Sequence, residues 1–276
     1  NRLTWGCEKT YIEDDAKYGK TWTLKHSGWP HRSTVLGPVI FLPDRRGFGH
    51  CAGEDKWREW NEAAYRRQIE SYRPFGCYTV AMGYGQGFVT QSALLLDRME
   101  DATEMLRWMA KATYSRHHQP YIVPEGVETI PSGEYWHRTG DLGNGVQQAE
   151  VIKTLRIVIG LDDTGRDALK IMPRMPHGWT AIHVKEMPAL TYPNGKPVLT
   201  KVGYSLKRAG TGYQIEVRSS EKLGETKAHL GPFKETPVRA TLDGKAVEFY
   251  PVRSGDSWWG MVKVPAGKTS LVVTMK

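Results

Sequence analysis

Between Tyr121 and Asn144 the chain reads YIVPEGVETIPSGEYWHRTGDLGN, and Glu125, Glu128, Glu134 and Asp141 all fall inside it. Carboxylates are what cleavage of a glycosidic bond needs. One protonates the leaving oxygen, the other activates water or attacks the sugar, and both must flank the same bond. Glu125 stands apart from its neighbours because Pro124, coming after the apolar Tyr-Ile-Val, restrains the backbone that carries it. Glu128 and Asp141 read more simply as solvated acids, and Asp141 lies just ahead of a helix whose dipole it favours. Glu134 is a reserve acid. Trp136, Tyr135 and Tyr121 offer flat apolar faces for a sugar ring, while Arg138 or His137 offers donors to hydroxyls or to an acid group.

Other chemistry-bearing residues lie upstream. Glu54 and Asp55 in GHCAGEDKW sit in a Gly-rich turn before a helical stretch. Asp55 is better read as its N-cap, which leaves Glu54 as the second reserve acid. Trp57 follows as a further sugar-contacting aromatic. GYGQG, with Tyr84 and Gln86 as sugar contacts, is not a phosphate loop, because no Lys-Ser/Thr follows and no strand clearly precedes it. The adjacent His117 and His118 have no partner at metal-ligand spacing, so no metal is expected, and nothing calls for a cofactor. Cys7, Cys51 and Cys77 share no metal spacing either, and an odd count leaves at least one unpaired. Trp258 and Trp259 suggest a carbohydrate platform, although strand alternation puts only one of them outward.

These side chains must be held by the elements around them. Residues 1–54 are turn-rich, with one or two short strands expected around Ser33 to Leu42. Trp57, Trp60, Ala64, Ile69 and Tyr72 recur near helical spacing, so a helix is expected over about 56–72. Phe88 to Leu96 is apolar nearly all round, as in a buried inner helix, whereas Ala102, Met105, Leu106, Met109 and Ala110 form a one-sided stripe. Asp97 and Glu100 have capping-box spacing ahead of that stripe. A last helix begins after Asn144, with Gln147 in a capping box, Val146, Ile152, Leu155 and Ile159 turned inward, and Gly160 as its stop.

After the turn-rich Asp162–Asp167 stretch the pattern changes. LKIMP, TAIHVKE, GYQIEVRS, PVRATLDG, KAVEFYPV, WWGMVKV and TSLVVTM alternate or are β-branched, with PNGK and LDGK as hairpin turns. The expected fold class is α+β multidomain, with helical hairpins followed by an antiparallel β-sandwich. The expected units are a loop-rich segment at 1–54, a helical-hairpin domain at 55–163 and the sandwich at 164–276.

Composition removes other classes. The chain has 276 residues and a net charge of +8, yet its basic residues are interleaved with acids and no block of five like charges occurs. A nucleic-acid partner is therefore not expected. No run approaches the roughly 18 apolar residues of a spanning helix, so a membrane partner is not expected either. The chain starts with Asn1, as a processed product or a piece of something longer would, and nothing in it fixes a compartment.

YIVPEG, an aromatic-rich loop, DLGNGVQQAEVIKTLRIVIG and a following β region together resemble the end of a six-hairpin (α/α)6-barrel glycoside hydrolase of the glucoamylase and rhamnosidase kind. GYGQGFVTQSALLLDRMEDATEMLRWMAKATY and LKIMPRMPHGW resemble its penultimate hairpin and its barrel-to-sandwich junction. The resemblance covers roughly residues 55 to 185. It implies a partial α/α toroid, and it implies that Glu125 is the general base of an inverting hydrolase. It also implies a general acid much earlier in the barrel, supplied by another chain or a missing N-terminal region unless Glu54 or Glu134 serves. The expected partner is a carbohydrate. Alternatives are a non-catalytic carbohydrate-binding or structural subunit that completes a barrel with a partner chain, a phosphorylase, and a polysaccharide lyase using Tyr135, His137 and Arg138.

Overall fold

The computed structural model describes residues 9–15, 19–25, 62, 65, 66, 69, 80–81, 85–114, 124–129, 136–142, 145–163 and 168–276. The chain divides into two compact units. One comprises Asn1–Pro43, Cys51–Leu96 and Asp101–Thr154, the other Asp44–His50, Asp97–Glu100 and Leu155–Lys276.

In the first unit, β1 (Lys9–Asp15) and β2 (Gly19–Lys25) pair antiparallel with Ile12 opposite Trp22. The sequence signal for these strands is a short run of β-branched and aromatic residues, Thr10-Tyr11-Ile12 and Thr21-Trp22-Thr23, obscured by the acidic Glu13-Asp14-Asp15 ending. The strands expected around Ser33 to Leu42 lie outside the described residues. Glu62, Tyr65, Arg66 and Ile69 are helical, and Tyr65 and Ile69, one turn apart, are buried. The Tyr65 hydroxyl donates to Asp101 Oδ2 at 2.8 Å.

Strand β3 (Val80–Ala81) precedes helix α1 (Gly85–Leu95), and α2 (Met99–Tyr114) follows. From Thr90 to Leu94 α1 is buried at every position, the polar Thr90, Gln91 and Ser92 included. On α2 the buried seam is Ala102, Met105 and Met109 at i, i+3 and i+7, with Leu106 half-buried. Ala110, expected in that stripe, is exposed, because the seam is only one residue wide.

Strands β4 (Pro124–Thr129) and β5 (Trp136–Leu142) precede α3 (Gly145–Ile159). The expected inward face of α3 is wrong by a rotation. Val151, Thr154, Ile157 and Val158 are buried, while Ile152 and Leu155 are 60% and 43% exposed. A threonine at 154 suggests an outward position, but its hydroxyl accepts the buried Gln91 amide at 3.2 Å, so the polar residue turns inward with a partner.

The helix end belongs to the second unit. The Gly160 amide donates to Arg156 O at 2.9 Å, its φ is +67°, and its own carbonyl accepts the Met172 amide at 2.7 Å. A Cβ built there would lie 2.0 Å from the Met172 carbonyl oxygen. Gly160→Ala is therefore expected to cost about 2–4 kcal/mol, the left-handed penalty and the backbone displacement together, read as a lower denaturation midpoint at unchanged slope. The buried Tyr204 hydroxyl holds the same helix end by donating to Ile159 O at 2.6 Å, and burial pushes that phenol's pKa well above its ordinary value.

The expected Asp97–Glu100 capping box does not form. An N-cap residue needs extended backbone, whereas Asp97 has φ +55°. Its carboxylate is also committed elsewhere. Oδ1 accepts Arg174 Nε at 3.0 Å and Oδ2 accepts the Ser254 hydroxyl at 2.5 Å, all within buried surroundings. The first turn of α2 is capped instead by a distant side chain, with the Glu100 amide donating to Asp256 Oδ2 at 3.1 Å.

The rest of this unit is strand. One sheet of six runs β13-β12-β16-β10-β9-β8, built from β8 (Ala181–Thr191), β9 (Val198–Ala209), β10 (Gly212–Ser219), β12 (Ala240–Leu242), β13 (Lys245–Ala246) and β16 (Ser270–Met275). A sheet of five runs β14-β15-β11-β7-β6, from β6 (Leu161–Asp162), β7 (Leu169–Ile171), β11 (Thr226–Phe233), β14 (Tyr250–Ser254) and β15 (Ser257–Val264). Pairing is antiparallel except between β7 and β11. The inner faces meet in an apolar core. Tyr213 of β10 packs edge-on against Phe233 of β11 with centroids 5.0 Å apart, and Gly260 of β15 leaves room for Met275 of β16.

Both turn signals are realised as hairpins. Asn194 and Gly195 have φ of 56° and 74° between β8 and β9, and Asp243 and Gly244 have φ of 50° and 81° between β12 and β13. Asp243 adds a clasp. A hydrogen bond from Lys268, and then the Val272 amide, hold its carboxyl below the usual carboxylate range. Trp259 is buried and Trp258 half-buried, as alternation demands, and the Arg253 guanidinium stands 5.9 Å from the Trp258 ring centroid. The chain thus carries a β-sandwich. Among the described residues three α-helices, one 3-10 helix (Pro193–Gly195) and four further helical positions accompany sixteen strands, and no closed helical toroid is among them.

Candidate active site on the three-stranded sheet

The acid-rich stretch expected to be a loop is for the most part a β-hairpin. Val127, Thr129, Trp136 and Thr139 are residue types that suit a pleated surface. The prolines and acids hide that pattern, but Pro124 takes the first strand position, where a missing N–H is tolerated. Strand β4 is central. It pairs with β3 through Val80 opposite Val127 and Ala81 opposite Gly126. It pairs with β5 through Thr129 opposite Trp136, Glu128 opposite His137, Val127 opposite Arg138 and Gly126 opposite Thr139.

The register then shifts, and the next pair is Pro124 with Leu142. One residue of β4, Glu125, is therefore faced by two of β5, Gly140 and Asp141. This is the two-against-one count of a bulge, an irregularity that concentrates beside active sites because it re-aims a strand position. Gly140 is the residue type such a kink accommodates most easily. The strand period of two places positions 125, 127 and 129 on one face of the sheet together with 136 and 138. Position 137 falls on the opposite face with 128. Of the residues singled out in the sequence, Glu125, Trp136 and Arg138 are thus assigned to one face and His137 to the other.

From sequence alone Asp141 is a solvated acid beside a helix. Its place opposite Glu125 depends on an inter-strand register, for which a single strand's sequence has no signal. Gln86 is the second residue of α1. Glu54, Trp57, Tyr84, Glu134, the two histidines at 117 and 118 and the three cysteines lie outside the described residues. Contrary to expectation, a strand, β3, does precede GYGQG, but the Lys-Ser/Thr of a phosphate loop is still lacking. Among the described residues no group of three or more His, Cys, Asp or Glu is arranged to hold a metal.

No protein-family model matches the chain, and no curated protein matches it. Among solved structures it is similar to an alpha-L-rhamnosidase from Dictyoglumus thermophilum, at a TM-score of 0.47 and 10% identity. That match covers 93% of this chain and 26% of the other, so the chain spans about a quarter of that protein's length. A likeness of this size is coarse, and it fixes neither an activity nor a residue's role.

Proposed function

We propose that this chain is a glycoside hydrolase, or the C-terminal part of one, cleaving a glycosidic bond in an oligo- or polysaccharide without a cofactor. The observation that carries the reading is the bulge at Glu125. It sets one acid of β4 against Gly140 and Asp141, on a face that also bears positions Trp136 and Arg138. In the proposed site Glu125 is the base that takes a proton from the attacking water, Trp136 stacks on a sugar ring and Arg138 hydrogen-bonds its hydroxyls. Gln86, Tyr84 and Trp57 are proposed to complete the sugar subsite, and Glu134 or Glu54 to serve as general acid.

Asp141 joins those two as a third choice for the acid, and product stereochemistry separates them. Inversion needs carboxyl groups about 6.5–9.5 Å apart to admit a water, whereas retention needs about 5–5.5 Å. If Asp141 is the acid at the shorter separation, Glu125 attacks the sugar as nucleophile in place of activating water. The test is incubation of the purified protein with a panel of oligosaccharides, following reducing ends and the first-formed anomer by proton NMR. An inverted product supports Glu125 with a more distant acid, and a retained one supports Asp141 as its partner. Cleavage that requires inorganic phosphate makes the enzyme a phosphorylase, and an unsaturated product makes it a lyase. Intact oligosaccharides throughout the panel would sink the hydrolase reading.

One observation favours a second reading. The exposed Ile152 and Leu155 on α3 suit a carbohydrate-binding or structural subunit whose helices are completed by a partner chain. A monomeric mass in light scattering, together with hydrolysis, counts against it.

A further inference from the structure

We draw no further inference here: the strongest candidate, the Glu125 and Asp141 pair that the bulge between β4 and β5 sets opposite each other, belongs to the site already described, and nothing else among the described residues points to a separate ligand there.

Discussion

Glu125→Gln is expected to lower kcat on a cleaved oligosaccharide by about a thousandfold, roughly 4 kcal/mol of transition-state stabilisation, with KM little changed. Glutamine keeps the shape and hydrogen-bonding reach of glutamate but cannot accept the proton of the attacking water. Loss confined to kcat is therefore what removal of a general base predicts. The substitution conserves volume in a strand whose pairing is made by backbone, so the denaturation midpoint should stay within about 0.5 kcal/mol of the parent. Glu128→Gln is the matched control. Its position lies on the other face of the same strand, opposite His137, and it should retain turnover. Full activity in the Glu125 variant removes that residue from the mechanism.

Asp97→Ala carries the largest expected loss of stability, about 3–5 kcal/mol. Asp97 is fully buried, and the Arg174 side chain it pairs with is 1% exposed, so removing the carboxylate leaves a cation in a region water does not reach. Ser254 loses its acceptor in the same step, and alanine is strained at φ +55°. Asp97→Asn separates these costs, since asparagine tolerates that backbone and still accepts from Ser254. Its remaining loss reports the charge–charge contact between positions 97 and 174. A drop below about 1 kcal/mol for Asp97→Ala would show that the pair is not the clamp its geometry describes.

The parts legible in the sequence are those decided over a few residues. Asn194-Gly195 and Asp243-Gly244 announce their turns because few other residue types accept positive φ. The alternation of β15 separates Trp259 from Trp258 by the pleat alone. Gly160 stops α3 for a similarly local reason. The errors arise where a distant partner decides. Thr154 turns inward because Gln91, 63 positions away, supplies a donor, and Asp97 abandons capping because Arg174 and Ser254 lie 77 and 157 positions along the chain. The candidate site shows both cases. Pro124 marks Glu125 from its own neighbourhood, but the strand character of its flanks is masked by acids, and the place of Asp141 follows only once β5 has docked.

The cap that Asp256 supplies to Glu100 spans 156 positions. At about 5–20 residues per second, a ribosome finishing this chain releases Asp256 on the order of ten seconds or more after Glu100. Until then neither the Asp256 cap on Glu100 nor the Ser254 contact of Asp97 can form. Vectorial synthesis thus leaves the locking of this turn to the closing stage, when the β14–β15 hairpin has emerged. A nascent chain stalled before Ser254 should remain sensitive to protease between Leu96 and Glu100, and the released chain should not.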